Sequence, residues 1–455
     1  MTKSQWNRRT FLKTTLASST FIAGLGKGMS FAAGHTANPF NLATGSTVDA
    51  VIFNGGYGYD YVEFAGAIVE GNHDGVDVVV SPSTQIAQEL QPRFIAGTPP
   101  DLIDNSGAGR INFTAIADQL EDLSDVIAAP NLEGQTIADT LLGGALTPGT
   151  YDGRLIAINY VLTVYAMWYS ASLFEENGWT PPKTWAEAKE LGAKAKEKDI
   201  YLFGWGKEAV TYYLNAIICS AIKEGGHDVR LGLENLTPDC WSHPAMQSVL
   251  TEVHDIIAAG YVKPGGAGTQ FTAAQAQWSN EQAFLIYPSG AWIENEMKAV
   301  TKEGFRMTGM PVPTVSENSA LPLTSLQSTA DEAFIVPSNA ANVAGGKEVL
   351  RAMLSKEAAQ NFVKTRLAPT IVEGSIPEDG FGSTALQSQG KLLSDAGQDV
   401  FSWNFINLYG MDGDFNVQWN LFMDGKLSVD ELTAAMQAIT DRVANDDSIV
   451  KATVE

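Results

Sequence analysis

Val48-Asp49-Ala50-Val51-Ile52-Phe53 opens the folded part of the chain as an apolar strand. Asn54-Gly55-Gly56-Tyr57-Gly58 follows as a turn that no helix tolerates. Tyr61, Phe64, Ala65, Ile68 and Val69 then recur at helical spacing. Val76-Asp77-Val78-Val79-Val80 reads as a second strand, and Ser83 to Ile95 as a helix that Pro92 should end or kink. Pro100-Asp101-Leu102-Ile103-Asp104 is a third strand. Strand, helix, strand, helix, strand predicts an α/β fold whose parallel strands are joined by right-handed crossovers.

Beyond this unit the alternation repeats with longer helices. Thr184 and Glu187 form a predicted capping box, opening a helix with Trp185, Ala188, Leu191 and Ala195 on one side. Tyr201-Leu202-Phe203-Gly204-Trp205 is a strand, and Pro244 to Ala259 a helix with Met246, Val249, Leu250, Val253, Ile256 and Ile257 inward. Met310-Pro311-Val312-Pro313-Thr314 is a stiff extended crossing, and Ala333-Phe334-Ile335-Val336-Pro337 another strand. Gly346 to Arg366 gives one or two helices. Ser428 with Glu431 caps a last helix that runs to Val443.

Ahead of the fold, Ser4-Gln5-Trp6-Asn7-Arg8-Arg9-Thr10-Phe11-Leu12-Lys13 resembles a twin-arginine export signal. Leu16 to Phe31 is too mild, and too broken by Lys27, for a membrane span, but suits a signal core. Cleavage is expected after Ala32, leaving residues 33–45 as a flexible leader and a periplasmic protein without a lipid anchor. The chain has 455 residues, enough for about three domains or two large ones. Its 52 acidic against 29 basic side chains give a charge of −23, which disfavours nucleic acid and anionic membranes as partners. Cys219 and Cys240 are the only cysteines; a bridge and two buried thiols both remain open.

Catalytic and metal patterns are weak. The five histidines (His35, His73, His227, His243, His254) show no ligand spacing, and no nucleophile elbow or phosphate loop is present. Asp424-Gly425-Lys426-Leu427-Ser428 with Glu431 imitates half a calcium loop, but Asn420 and Phe422 fail its first half, so a turn into a capped helix is expected. Gly56-Tyr57-Gly58 with Asp77 about twenty residues on hints at NAD(P) and an exported oxidoreductase acting on a sugar, but Tyr61 stands at the third glycine position. Aromatic residues instead gather beside turns: Tyr57 and Tyr59, Trp205 with Tyr212 and Tyr213, Trp292 after Tyr287-Pro288-Ser289-Gly290, and Trp403 and Tyr409 near Asn404 and Asn407. Rings so placed, with amide and hydroxyl neighbours, fit a pocket that stacks sugar faces.

A longer set of segments carries a resemblance. Tyr151-Asp152-Gly153-Arg154-Leu155-Ile156-Ala157-Ile158, Tyr165-Ala166-Met167-Trp168-Tyr169-Ser170 and Leu173-Phe174-Glu175-Glu176-Asn177-Gly178-Trp179-Thr180-Pro181-Pro182-Lys183-Thr184-Trp185 come first. Trp278 to Phe284 with Ser289-Gly290-Ala291-Trp292, the Met310 to Thr314 crossing, Phe334 to Pro337 leading to Ser355 to Gln360, and Asp424 to Ser428 follow in order. Together they resemble the family 1 extracellular solute-binding proteins, sugar-binding components of ABC importers that include maltose-binding protein, and within them the N-acetylglucosamine or diacetylchitobiose binders. Ser170 departs from the family's usual Tyr-Asn pair and should change only a local turn.

The resemblance implies a two-lobe type II periplasmic-binding fold with the ligand cleft between lobes. The first lobe would hold about 46–162 and 313–362, and the second 163–312 and 363–455. Ligand-binding residues would be Tyr57, Asn105, Ser106, Tyr212, Tyr213, Ser289, Trp292, Gln327, Trp403 and Tyr409. Trp292 is the firmest of these, offering a ring to a pyranose and its indole N–H to a hydroxyl. The implied partners are a carbohydrate, an inner-membrane ABC permease and, during export, the twin-arginine translocase. The protein would act as a monomer, with no catalytic residue, cofactor or metal.

Overall fold

A computed structural model describes residues 37–454 apart from Gly56, Ala108, Gly109, Asp152 and Val450. The export signal, its cleavage point after Ala32, the start of the leader and Gly56 of the first loop lie outside the described residues.

The opening alternation forms in the order read, except that the second strand runs on through Ser83 and the second helix starts only at Ile86. Strand β1 (Thr47–Phe53) pairs in parallel with β2 (Asp77–Ser83) and β3 (Leu102–Asp104), and helices Asp60–Asn72 and Ile86–Ile95 connect them. Pro92 sits inside the second helix, which stops within a turn of it. Side chains alternate across a strand, so this sheet feeds two cores. Ala50, Ile52 and Leu102 pack with Tyr61, Val69, Leu350 and Phe362 on one face. Val51 and Ile103 pack with Ile86, Leu90 and Phe94 on the other.

Strand β4 (Ile158–Ser170) is a thirteen-residue, almost wholly apolar run that passes from one lobe into the next. Its first half pairs antiparallel with β8 (Leu326–Ile335). Its second half pairs with β6 (Phe284–Gly290) and β7 (Met307–Met310), and β6 in turn carries β5 (Tyr201–Phe203). The resulting order is β2-β1-β3-β8-β4-β6-β5. Ile158 and Tyr160 belong to the first lobe's core, whereas Val164 and Trp168 belong to the second's. The second lobe's larger core gathers Trp185, Phe203, Ile217, Trp241, Leu250 and Trp419.

Val315 and Leu321 pack on the second core, and one helix, Thr211–Gly225, holds their segment there. Ser220 Oγ donates to Pro313 O (2.7 Å), Lys223 Nζ donates to Val312 O (2.9 Å) and Leu323 O (2.7 Å), and Glu224 accepts from the Val315 and Ser316 amides. The first core in turn keeps Ala368, Ile371 and Val372.

Capping follows the sequence with one difference. Ser428 and Glu431 make the full reciprocal box, but Glu187 accepts from the Lys183 amide rather than that of Thr184. Ser170, the departure from the family pattern, caps helix Ala171–Asn177. Cys219 and Cys240 are separate buried thiols.

Candidate functional site

Where β4 crosses β8, between the two cores, the chain leaves an open cavity of about 520 Å³. The first lobe contributes Tyr57 from the loop after β1, and Asn105, Ser106 and Arg110 from the loop after β3. The second lobe contributes Trp292, Asn295 and Glu296 from just beyond β6. The crossing strands form the floor, with Asn159, Thr163 and Tyr165 on β4 and Asp331 and Glu332 on β8. Loops at the carboxyl ends of strands are where open α/β sheets bind ligands.

Gly290 sets the position of Trp292. It pairs with Tyr165 across the sheet, and a Cβ on it would lie 1.8 Å from Trp292 Cζ3. Only glycine lets the indole fold back over the end of β6. The ring is then held edge-on between Tyr165 and Tyr212, each 5.7 Å away between centroids. Glu294, on the short helix Ile293–Met297 that Trp292 opens, accepts from Ser383 Oγ (2.6 Å) and ties the turn to the start of helix Thr384–Ala396.

The floor is acidic. Asp104 is fully buried behind it, accepts from Ser106 Oγ and from Tyr61 Oη (3.4 Å), and faces Glu332. Burial and the Glu332 charge push the Asp104 carboxyl well above the usual range. Burial raises Glu332 to about 6. Its backbone φ of 56° is left-handed within a strand, a strain of about 1–3 kcal/mol. Asp331 is also raised by burial, accepts from Thr163 Oγ1 (3.2 Å) and feels Arg110. Burial and these two carboxylates keep the Tyr57 hydroxyl protonated as a donor. Asn159 donates to Ala330 O (2.8 Å), and its enclosed Oδ1 has no partner. These groups offer a ligand mainly acceptors beside an aromatic wall, a set suited to hydroxyl donors.

Of the residues read from sequence, the structure brings Tyr57, Asn105, Ser106 and Trp292 to one cavity. Two of these spend their polar groups on the protein: the Asn105 amide bonds both backbone groups of Ile111, and Ser106 bonds Asp104 and the Ala333 amide. Tyr212 stands behind Trp292. Tyr213, one step along the helix, is buried in the second core and donates to Gly204 O (2.7 Å). Ser289 and Gln327 are buried within strands. Trp403 stacks near Phe401, the Tyr409 hydroxyl accepts from the Ala452 amide, and both pack against the second core away from the cavity. Sequence reasoning missed Arg110, Asn159, Tyr165, Asp331, Glu332 and Glu296. The signal available for two of them was Asp331-Glu332 interrupting an otherwise mostly apolar strand.

The competing chemistries lose their residues to structure. Tyr61, at the third glycine position of a dinucleotide loop, is buried against Tyr160, Phe334 and Phe362, so a nucleotide reading has no support. Asp424 pairs with Lys426 (2.8 Å) and Glu431 is committed to its cap, as a turn into a helix requires. Among the described residues no three His, Cys, Asp or Glu converge as a metal site.

The model of the family described as bacterial extracellular solute-binding protein matches residues 59–360. The Diacetylchitobiose binding protein NgcE of Streptomyces coelicolor is 55% identical over 417 residues, covering 92% of this chain and 89% of that protein. Among solved structures, the sugar-binding protein MalE from Xanthomonas citri aligns with a TM-score of 0.67 at 16% identity, over 88% of this chain and 96% of that one. A chitin oligosaccharide binding protein aligns with a TM-score of 0.63 at 16% identity, over 89% and 100%. The fold they share with this chain is the two-lobe type II periplasmic-binding fold. By these matches the chain belongs to the bacterial extracellular solute-binding protein family.

Proposed function

We propose that this protein captures an oligosaccharide of N-acetylglucosamine, with diacetylchitobiose as the first candidate, and delivers it unchanged to an ABC permease. The observation that carries the reading is the cavity between the lobes, where the Trp292 and Tyr165 rings face acceptors from both crossing strands. An indole face stacks on the C–H face of a pyranose, and carboxylates and amides take its hydroxyl hydrogens. The 55% identity with a diacetylchitobiose binding protein favours that sugar class. Capture needs no chemistry: a ligand touching both lobes favours the closed arrangement, which the permease recognises. Export through the twin-arginine translocase would place the protein, as a monomer, in the periplasm.

A thermal-shift screen of the mature protein over mono- and oligosaccharides tests the reading. A ligand at a hundred times its dissociation constant adds about 2.7 kcal/mol of stability. A screen in which no sugar raises the melting temperature refutes it.

A further inference from the structure

Two loops bring the first lobe's groups to the cavity, and each contains a turn that starts on a glycine. In the loop after β1, the Gly58 amide donates to Gly55 O (3.1 Å), and Tyr57 projects from that turn into the cavity lining. In the loop after β3, the Arg110 amide donates to Gly107 O (3.3 Å), and both residues line the cavity. One side chain meets both glycines. Phe53 ends β1 on the face that carries Val51 and packs, half-buried, on the same core. A Cβ on Gly55 would lie 2.2 Å from Phe53 Cε1, and one on Gly107 would lie 2.3 Å from Phe53 Cζ and 2.4 Å from Cε2. Carbon contacts are ordinarily about 3.5–4.0 Å, so the far edge of the ring rests against both glycine backbones and leaves room for a side chain at neither. The bases of the loops are held separately. The Asn54 amide donates to Ser83 O (2.8 Å), and the Asn105 side chain bonds both backbone groups of Ile111.

We propose that Phe53 is a positioning residue for sugar binding: its ring holds the Tyr57 turn and the Arg110 turn against each other, so that the first lobe offers both side chains as one pre-set surface. This rests on the carbohydrate reading above. Phe53 is not itself part of the cavity lining, so it acts through the residues that are. A loop that must be ordered as the ligand arrives spends binding energy on its lost freedom, and a loop already braced does not. Leucine at position 53 keeps the stem on the core but stops short of the Cε and Cζ atoms that meet the glycines. Alanine at position 55 drives a methyl group against the ring from the loop side and leaves the core residue in place.

Calorimetric titration of diacetylchitobiose into the mature protein, Phe53→Leu and Gly55→Ala tests this, with a urea melt of each unliganded protein. Both variants should bind at least tenfold more weakly than wild type, and Gly55→Ala gives the answer if Phe53→Leu does not fold. Introduced into Tyr57→Ala or Arg110→Ala, Phe53→Leu should cost a smaller factor than it does in wild type, because part of what it disturbs is already gone. Wild-type affinity in the folded variants overturns the proposal, even with a lower urea midpoint, since a ring that only stabilises the lobe gives that result. An equal loss in wild type and in both truncated backgrounds overturns it too, because the ring would then act on something else. A wild type that binds neither this sugar nor its longer and shorter homologues refutes the carbohydrate reading itself.

Discussion

Replacing Gly290 by alanine isolates the role of the Trp292 ring without touching the ring. The new Cβ would stand 1.8 Å from Cζ3, 2.2 Å from Cη2 and 2.3 Å from Cε3 of the indole. Ordinary carbon contacts are about 3.5–4.0 Å, so the indole must retreat by well over an ångström. Tyr165 and Tyr212 close both sides, so the only retreat is a new rotamer away from β6. The backbone itself accepts alanine, since Gly290 lies within a strand and has no left-handed φ, and alanine there returns about 0.5–1 kcal/mol of chain entropy. Stability should therefore move little, while a lost stacking surface should weaken sugar binding by about 1–3 kcal/mol, roughly a 5- to 150-fold loss. Calorimetric titration, with a denaturant melt of the unliganded protein, separates the two terms. Gly290→Ala combined with Trp292→Ala should bind no worse than Trp292→Ala alone, because both remove one interaction. Wild-type affinity in Gly290→Ala, or additive losses in the pair, would falsify the argument that Gly290 acts by placing Trp292.

Three other outcomes are expected. Tyr213→Phe loses a buried hydrogen bond to Gly204 O and should cost about 1 kcal/mol of stability with sugar affinity unchanged; a loss of affinity would return Tyr213 to the site. Glu332→Gln should alter stability in a pH-dependent way. The carboxyl moves from 4.5 when unfolded to about 6 when folded, so below 4.5 both states are protonated and nothing is lost. Above 6 the folded state carries the full penalty, at most about 2 kcal/mol and nearer 1 with solvent in the cleft. The variant should thus gain about 1 kcal/mol at pH 7 and nothing at pH 4 in urea melts, and a gain equal at both values would contradict the assignment. Replacing Arg8 and Arg9 by lysine should leave the precursor in the cytoplasm by cell fractionation; export that persists would argue against the twin-arginine route.

What the sequence disclosed follows from what local chemistry encodes. Turn glycines, capping residues and strand alternation act over a few residues, so β1 to β3 and the Ser428 cap could be read directly. The course of β4 could not, because a continuous apolar run does not say where a strand leaves one core for another. Placing the site had the same difficulty. Tyr212 and Tyr213 are neighbours on one helix, about 100° apart around it, so one supports Trp292 and the other fills a core although both follow the same turn. Trp403 and Tyr409 lie in a polar stretch that reads as a binding loop, yet both pack on the second core, and the Tyr409 hydroxyl is taken by the distant tail at Ala452. The acidic floor depends on β4 and β8 meeting across a separation of 168 positions from Thr163 to Asp331, a pairing that no local pattern reports.

Direct calorimetric titration of the mature protein with diacetylchitobiose tests the central claim most simply. Saturable one-to-one binding is expected, with a dissociation constant of about 1 μM or tighter, equivalent to about −8.2 kcal/mol, and abolished or weakened at least tenfold by Trp292→Ala. Absence of binding heat with this sugar and with its longer and shorter homologues would contradict the account.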